Sequence, residues 1–122
     1  NIIENMTYGN DASEDAIKDL LNKYNLIRVF SNLEKGLESD VGVNGGKLSL
    51  GMQKVVMIVR GILRKSHIIV FDEPLAGLDQ TTRQNVINMI LEESKNKTLI
   101  VITHDKEILP YLDRVINVND YQ

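Results

Sequence analysis

The chain has 122 residues, of which 43% are hydrophobic and 25% are charged, and its formal net charge is −3 at pH 7. This composition is typical of a folded globular domain, and the net charge excludes a global basic field that would hold nucleic acid or anionic lipid. The absence of cysteine excludes a disulfide framework and a thiolate metal site, and the longest apolar run is far shorter than the ~20 residues that cross a bilayer.

The first half of the chain carries helical patterns of apolar residues. Asp11 can cap a helix that has Glu14 three residues later. The apolar side chains that follow at helical spacing are Ala16, Ile17, Leu20, Leu21 and Tyr24. Residues 26–33 are predicted to form another short helix, which ends near Gly36.

A segment rich in glycine and turn-forming residues, GLESDVGVNGGKLSLG, occupies residues 36–51. It predicts a loop that leads into a helix over about residues 52–63. The residues expected on the inner face of that helix are Val55, Val56, Val59, Ile62 and Leu63.

Three short apolar runs follow, at residues 68–71, 98–103 and 115–118, and a helical pattern over residues 82–93 separates the first two. Continuous apolar strands that alternate with helices predict a parallel sheet covered on both faces. The fold class expected is therefore α/β, with a helical part followed by the strands of a parallel sheet. In such sheets, ligands bind outside the carboxyl ends of the strands.

Polar, titratable side chains follow two of the predicted strands. Asp72 and Glu73 end the first strand, and His104 ends the second. Paired acids at a strand end suit metal-nucleotide hydrolysis, because one carboxylate can hold Mg²⁺ while the next orients and deprotonates the attacking water. His104 could donate a hydrogen bond to the terminal phosphate. The alternatives are a solvated turn for the acid pair and a capping or surface residue for the histidine, whereas His67 is assigned no function.

A second candidate site lies in KLSLGMQ, residues 47–53. Ser49 and Gly51 at a helix start offer a hydroxyl, free backbone N–H groups and the positive end of the helix dipole, which together bind phosphate. The alternative is a serine that only caps its own helix, and in isolation this alternative is the more common one.

In order and spacing, these segments resemble the nucleotide-binding domain of ATP-binding cassette (ABC) proteins over nearly the whole chain. IIVFDE resembles the Walker B strand with its catalytic glutamate, LAGLD the D-loop, and Thr103 with His104 the switch histidine. LSLGM stands where the family has its signature motif, LSGGQ. NIIENMTYG resembles the segment after the Q-loop of exporter-type cassettes, residues 36–45 resemble the loop before their signature, and YLDRVINV resembles the strand after the switch histidine.

The resemblance implies a partial P-loop ATPase fold. About residues 10–65 would form the helical subdomain with the signature motif, and about residues 66–122 the part with Walker B, D-loop and switch histidine. Asp72 would serve Mg²⁺ through a water, Glu73 would be the general base, and His104 would contact the γ-phosphate of ATP. Across a head-to-tail dimer, Asp79 would communicate with the opposite subunit, and the residues that touch its ATP would be Ser49 and Gly51.

The sequence departs from the family pattern in two ways. The Walker A loop G-x-x-x-x-G-K-[ST], the base-stacking aromatic residue and the Q-loop glutamine are absent, so we expect that the chain alone neither binds ATP tightly nor hydrolyses it. Leu50 and Met52 replace the first glycine and the glutamine of the signature. These replacements predict either an asymmetric dimer with one weakened ATP site or a homodimer that tolerates both.

The start of the sequence indicates a piece of a longer protein, because it lacks an initiator methionine and enters a patterned segment at once. The strands of an N-terminal half would then be missing from the sheet. We therefore expect an unpaired sheet edge and an exposed apolar face, and with them low stability or self-association of the isolated chain.

The function implied by the resemblance is that of an ABC transporter ATPase, which couples ATP binding and hydrolysis to transport across a membrane. The implied partners are a second nucleotide-binding domain, as a homo- or heterodimer, and the transmembrane domain of the transporter. No nucleic acid is expected, and the implied location is the cytoplasmic face of a membrane. Two alternatives remain: a non-transport ABC ATPase of DNA repair, chromosome organisation or translation, and a catalytically inactive dimerisation module.

Overall fold

The computed structural model of the chain describes residues 1–42 and 46–118. The α-helices in these residues are α1 Ile2–Thr7, α2 Glu14–Lys23, α3 Leu50–Leu63 and α4 Gln80–Glu93. Two strands, β1 Ile68–Asp72 and β2 Thr98–Ile102, flank α4, and short 3-10 helices occupy Ile27–Phe30, Gly36–Glu38 and Leu109–Tyr111. A helical part is thus followed by a β-α-β unit, which confirms the predicted α/β class.

The two strands pair in parallel, with Ile68 opposite Thr98 and Asp72 opposite Ile102. Glu73 extends the ladder by one bond, because its N–H donates to the Ile102 carbonyl at 2.7 Å. A parallel pair requires a crossover connection, and α4 lies in that connection. The carboxyl ends of both strands therefore meet at one edge of the sheet.

One apolar cluster joins the helical part to the sheet. Helix α3 is its central element, because it contacts α1, α4, β1 and the 3-10 helix Ile27–Phe30. On the sheet, Ile69 and Phe71 are buried against this cluster, and a Cβ on Gly61 of α3 would lie only 3.0 Å from Phe71 Cε1. The fully buried helical side chains include Ile2, Met6, Ile17, Leu21, Ile58, Ile87, Met89 and Ile90.

The first cap was predicted at the wrong residue. Ser13 is the N-cap of α2, since its Oγ accepts a hydrogen bond from the Ala16 N–H at 3.1 Å. Asp11 lies outside the helix and forms an exposed ion pair with Lys65 at 3.2 Å. Both residues are of types that cap helices, so composition alone did not separate them. The expected apolar face of α2 is buried except for Ala16, which is exposed.

The helix predicted over residues 26–33 is only the 3-10 turn Ile27–Phe30, and a second such turn, Gly36–Glu38, interrupts the predicted loop. Residues 43–45 of that loop and residues 119–122 lie outside the described residues. Helix α3 begins at Leu50, two residues earlier than predicted. Its predicted inner face is buried except for Leu63, which is partly buried, and Ile58 is a further buried residue of this helix.

The sheet differs from the prediction in two respects. Residues 115–118, predicted as a third strand, form no strand in the described part of the chain, and their apolar side chains are exposed. Apolar composition favours an extended segment, but a strand also needs hydrogen bonds to a neighbouring edge. The sheet is covered on one face only, because the apolar cluster lies on the side of Ile69 and Phe71. Exposed on the other face are Ile68, Val70, Ile100 and Ile102.

Replacing the cap serine tests which residue starts α2. We expect Ser13→Ala to lower the free energy of unfolding by about 1 kcal/mol, because the Ala16 N–H loses its acceptor. Asp11→Ala is the matched control and should change that free energy by less than about 0.5 kcal/mol, since an exposed ion pair contributes little. Urea unfolding followed by circular dichroism measures both. A larger loss for the Asp11 variant would place the cap at residue 11.

The exposed face of the sheet is expected to drive self-association of the isolated chain, because contiguous apolar patches associate in water. The double substitution Val70→Lys with Ile100→Lys should shift the sedimentation profile towards monomer by placing two charges on this face. The control is Thr81→Lys with Asn88→Lys, which adds the same charge to exposed positions of α4. An equal shift in both double variants would show that net charge, and not this face, governs association.

Candidate functional site

The candidate site lies at the carboxyl edge of the two-stranded sheet. Glu73 follows β1 with 31% of its side chain exposed, and His104 follows β2 with an almost fully exposed side chain. His104 Nε2 lies 3.5 Å from Glu73 Oε1, and the His104 N–H donates to Glu73 Oε2 at 3.4 Å. The fold therefore brings these two residues together, as the strand pattern predicted.

The backbone at Glu73 is held in a conformation that is unusual for a residue with a side chain. Its φ is 49°, in the left-handed region that disfavours L-residues by about 1–2 kcal/mol. Hydrogen bonds fix both of its peptide groups: the Glu73 N–H donates to Ile102, and Lys54 Nζ donates to the Glu73 carbonyl at 2.8 Å. Such outliers concentrate at functional sites, and here the turn directs the Glu73 carboxylate towards His104.

Lys54 was not among the residues predicted from the sequence. It lies on α3, and its ammonium crosses from that helix to the end of β1. A lysine on an amphipathic helix is ordinarily read as a solvent-facing residue, so helical spacing gave no signal for this contact. Only the packing of α3 against β1 shows it.

Asp72, the last residue of β1, is exposed, and its carboxylate forms no hydrogen bond or ion pair within residues 1–42 and 46–118. Carboxylate oxygen is the ligand type that Mg²⁺ prefers, and Mg²⁺ is commonly held by one or two carboxylates together with substrate phosphates and water. In the described part of the chain there is no cluster of three or more acidic or histidine side chains that could hold a metal. The exposed Asp72 carboxylate is of the chemical type that could supply one oxygen ligand to Mg²⁺.

Asp79 is the N-cap of α4. Its Oδ1 accepts from the Thr82 N–H at 2.8 Å, and its Oδ2 accepts from the Thr82 hydroxyl at 3.1 Å. The backbone hydrogen bond from Thr82, followed by that from its hydroxyl, holds the pKa of Asp79 below its usual value. The stabilising contribution of the ionised cap is therefore present at neutral pH and is lost as the pH falls through that lowered pKa.

Ser49 is the N-cap of α3, since its Oγ accepts from the Met52 N–H at 3.2 Å. The capping alternative is thus realised in the structure, and the N–H groups of the first turn lie beside it. A Cβ on Gly51 would meet nothing closer than Leu78 Cδ2 at 3.6 Å, which is an ordinary contact. Packing within the described residues therefore does not require glycine at this position.

Leu50, one of the two altered signature residues, is 53% exposed and contacts the loop before α4. Gly77 in that loop has a φ of 78°, and a Cβ on it would overlap Leu50 Cδ2 and lie 3.2 Å from Leu50 Cγ. The two segments that resemble the signature motif and the D-loop thus touch each other within one chain.

An open cleft of about 570 Å³ adjoins the site. Glu73 and His104 line one part of it, and residues 115–118, the segment predicted as a third strand, line another. His67, which was assigned no function, is exposed before β1. Among the described residues, none of the helices has the length and apolarity that crossing a bilayer requires.

This fold and site define a chain of the ABC transporter family. A sequence model described as ABC transporter matches residues 1–76, and the chain belongs to this family. It also resembles a solved structure, a bacterial Atm1-family ABC exporter with ATP bound, at 30% identity and a TM-score of 0.73. That likeness covers 85% of this chain and 18% of the exporter chain, so this chain matches only part of that exporter's length.

Three of the curated relatives that the chain matches are transport proteins of bacteria. A lacticin-481/lactococcin-DR transport/processing ATP-binding protein of Lactococcus lactis is 32% identical over 98% of this chain and 18% of its own length. An ATP-dependent lipid A-core flippase of Vibrio vulnificus is 30% identical over 98% of this chain and 21% of its own length. A glutathione/L-cysteine transport system ATP-binding/permease protein of Haemophilus influenzae is 30% identical over 88% of this chain and 19% of its own length. The chain therefore spans about a fifth of the length of these relatives.

The contact between Leu50 and Gly77 can be tested by a double-mutant cycle. We expect Gly77→Ala to lower the free energy of unfolding by at least about 1–2 kcal/mol, because alanine disfavours a positive φ and its Cβ overlaps Leu50. In a Leu50→Ala background the overlap is gone, so the loss should be smaller and only the backbone term should remain. Urea unfolding of the four proteins measures the difference. Equal losses in the two backgrounds would show that Leu50 does not clash with a side chain at position 77.

Proposed function

We propose that this chain is the C-terminal part of the nucleotide-binding domain of an ABC exporter, in which ATP binding and hydrolysis are coupled to transport across a membrane. The observation that carries the proposal is the contact of His104 with the carboxylate of Glu73 at the edge of a parallel sheet. Family membership and the names of the relatives support the same function. In this assignment about residues 10–65 form the helical subdomain, and about residues 66–122 form the catalytic part.

Glu73 is proposed as the general base that orients and deprotonates the attacking water. Its carboxylate is partly exposed at the mouth of the cleft, where a water can reach it, and the two hydrogen bonds to its backbone fix its position. A base must be held within hydrogen-bonding reach of the proton that it removes. The left-handed turn at Glu73 is a local means of holding it there.

His104 and Asp72 complete the proposed site. The exposed imidazole of His104, whose Nε2 lies 3.5 Å from the Glu73 carboxylate, would donate a hydrogen bond to the γ-phosphate. Asp72 would hold Mg²⁺ through a water, and its carboxylate is available because it has no other partner among the described residues. Bound Mg²⁺ supplies positive charge that neutralises the developing charge on the phosphates.

A second nucleotide-binding domain, identical to this one or different, is the proposed partner across the ATP. Ser49 and Gly51 would touch the nucleotide held by that domain, because the α3 N-terminus offers backbone N–H groups and the positive end of a helix dipole. Packing within the described residues does not require glycine at position 51. The close approach of a phosphate to the backbone, by contrast, favours glycine. Asp79, exposed at the start of α4, would communicate with the same partner.

The transmembrane domain of the exporter is the second proposed partner, and it would place the chain on the cytoplasmic face of a membrane. The names of these similar proteins support export over the roles in DNA repair, chromosome organisation or translation that other ABC ATPases have. The contact between Glu73 and His104 supports a catalytic role over a dimerisation module, because such a module has no use for a base held in a strained turn.

Removing the proposed base tests the function. In the full-length protein that carries this chain, we expect Glu73→Gln to lower Mg²⁺-dependent ATPase activity by about 100-fold or more while ATP binding persists, because the amide cannot accept the proton from water. Steady-state phosphate release and equilibrium binding of ATP measure the two effects. The matched control is Glu14→Gln, which alters an exposed ion pair with Lys18 in α2 and should leave the rate unchanged.

Two results would contradict the assignment. Full ATPase activity in the Glu73 variant would remove the proposed base. Turnover by the isolated 122-residue chain, which has no Walker A loop, would show that the chain contains a phosphate-binding loop that this assignment lacks.

A further inference from the structure

Arg83, in the first turn of α4, makes polar contacts in two directions. Its Nη2 donates to the Leu78 carbonyl at 3.0 Å, in the loop before α4. Its Nη1 donates to Glu107 Oε1 at 3.0 Å, in the loop that follows β2. The guanidinium thereby spans the two loops that carry Asp79 and His104.

The contacts of Arg83 are less exposed than the other ion pairs between distant elements. The side chain of Arg83 is 26% exposed, that of Asp105 is 23% exposed and that of Glu107 is 37% exposed. In the Lys65–Asp11 pair, by comparison, the two side chains are 85% and 86% exposed. Partly buried pairs are screened less by solvent and salt than exposed ones, and the rigid fork of arginine fits several acceptors at once.

The loop that holds His104 is built around Asp105. The Asp105 N–H donates to Thr103 Oγ1 at 2.8 Å, and Asp105 Oδ1 accepts from the Glu107 N–H at 2.9 Å. The other carboxylate oxygen, Oδ2, lies 3.6 Å from Arg83 Nε. Arg83 therefore faces the residue that shapes the turn immediately after His104.

On the other side, Arg83 donates a hydrogen bond to the carbonyl of Leu78, the residue immediately before Asp79. That loop is also tied locally, because Asp79 caps α4 through Thr82 and Arg28 Nη2 donates to Thr82 Oγ1 at 3.1 Å. A displacement of the loop before α4 must therefore either carry the guanidinium with it or break a partly buried hydrogen bond.

We propose that Arg83 is a positioning residue that couples the loop carrying Asp79 to the loop carrying His104 within one chain. The coupling rests on the proposed function, which gives these two loops their roles towards the partner domain and the γ-phosphate. Arg83 acts through Leu78, Asp105 and Glu107. Closure of the partner against Asp79 is thereby transmitted to His104 on the other side of α4.

Hydrogen exchange in the full-length protein tests this coupling without using catalysis. Glu107→Ala removes an acceptor on the His104 side only. Because Glu107 is only half-buried, this substitution leaves the apolar core unchanged. We expect backbone amides of residues 103–107 and also of residues 75–79 to exchange faster by about fivefold or more, the lower end of typical coupling between sites. The matched control is Glu92→Ala on α4, which removes a more exposed pair with Lys23 and should change neither segment. Faster exchange confined to residues 103–107 would overturn the proposal.

Kinetics of the same protein give a second readout. Arg83→Gln and Arg83→Lys should both lower kcat by about tenfold and change KM for MgATP by less than about twofold, because neither amide nor ammonium reproduces the fork that joins the loops. Full activity in the lysine variant would show that charge alone suffices and would overturn the role of the fork. If the unsubstituted protein lacks Glu73-dependent hydrolysis, the proposed function fails, whereas the exchange measurement still decides whether the loops are coupled.

Discussion

The parallel pairing of β1 with β2 is the constraint on which the candidate site depends. Glu73 and His104 lie 31 residues apart in the chain, and they meet because the crossover through α4 returns the second strand in the direction of the first. The bond from the Glu73 N–H to the Ile102 carbonyl extends this ladder into the site itself. The backbone positions of Glu73 and His104 are thus set by hydrogen bonds of the main chain.

Helix α3 links the two parts of the molecule in a comparable way. Its N-terminus carries Ser49 and Leu50, its middle extends Lys54 to the Glu73 carbonyl, and its C-terminal half packs on Phe71. Burial of each large apolar side chain on this helix contributes about 1.5–3 kcal/mol before entropy is counted, so the orientation of α3 on the sheet is well determined. The segment that resembles the signature motif is therefore held in fixed relation to the proposed base through one continuous element.

The loops around α4 are joined by polar contacts in addition to the apolar packing of Leu75, Leu78 and Ile108. Asp79 caps the helix by accepting from Thr82, and Arg83 reaches across to Asp105 and Glu107. Hydrogen bonds and ion pairs of this kind have discrete made and broken states, whereas a packed core deforms little. Such contacts suit segments that respond to a nucleotide or a partner, because a small displacement of a loop changes which hydrogen bonds and ion pairs it makes.

The sequence by itself determined the α/β class, the two paired strands, the buried face of α3 and the meeting of Glu73 with His104. The elements follow from apolar periodicity, which is a local signal. The meeting of the two residues follows because each stands at the end of a strand and parallel strands end at the same edge of a sheet. It did not determine that Ser13 rather than Asp11 caps α2, nor that residues 115–118 form no strand in the described part of the chain, since both depend on which neighbour is available in space. The contacts of Lys54 and Arg83 were also decided only by the tertiary structure. Long basic side chains on helices have no periodic signature, and their partners are fixed by how the helices pack.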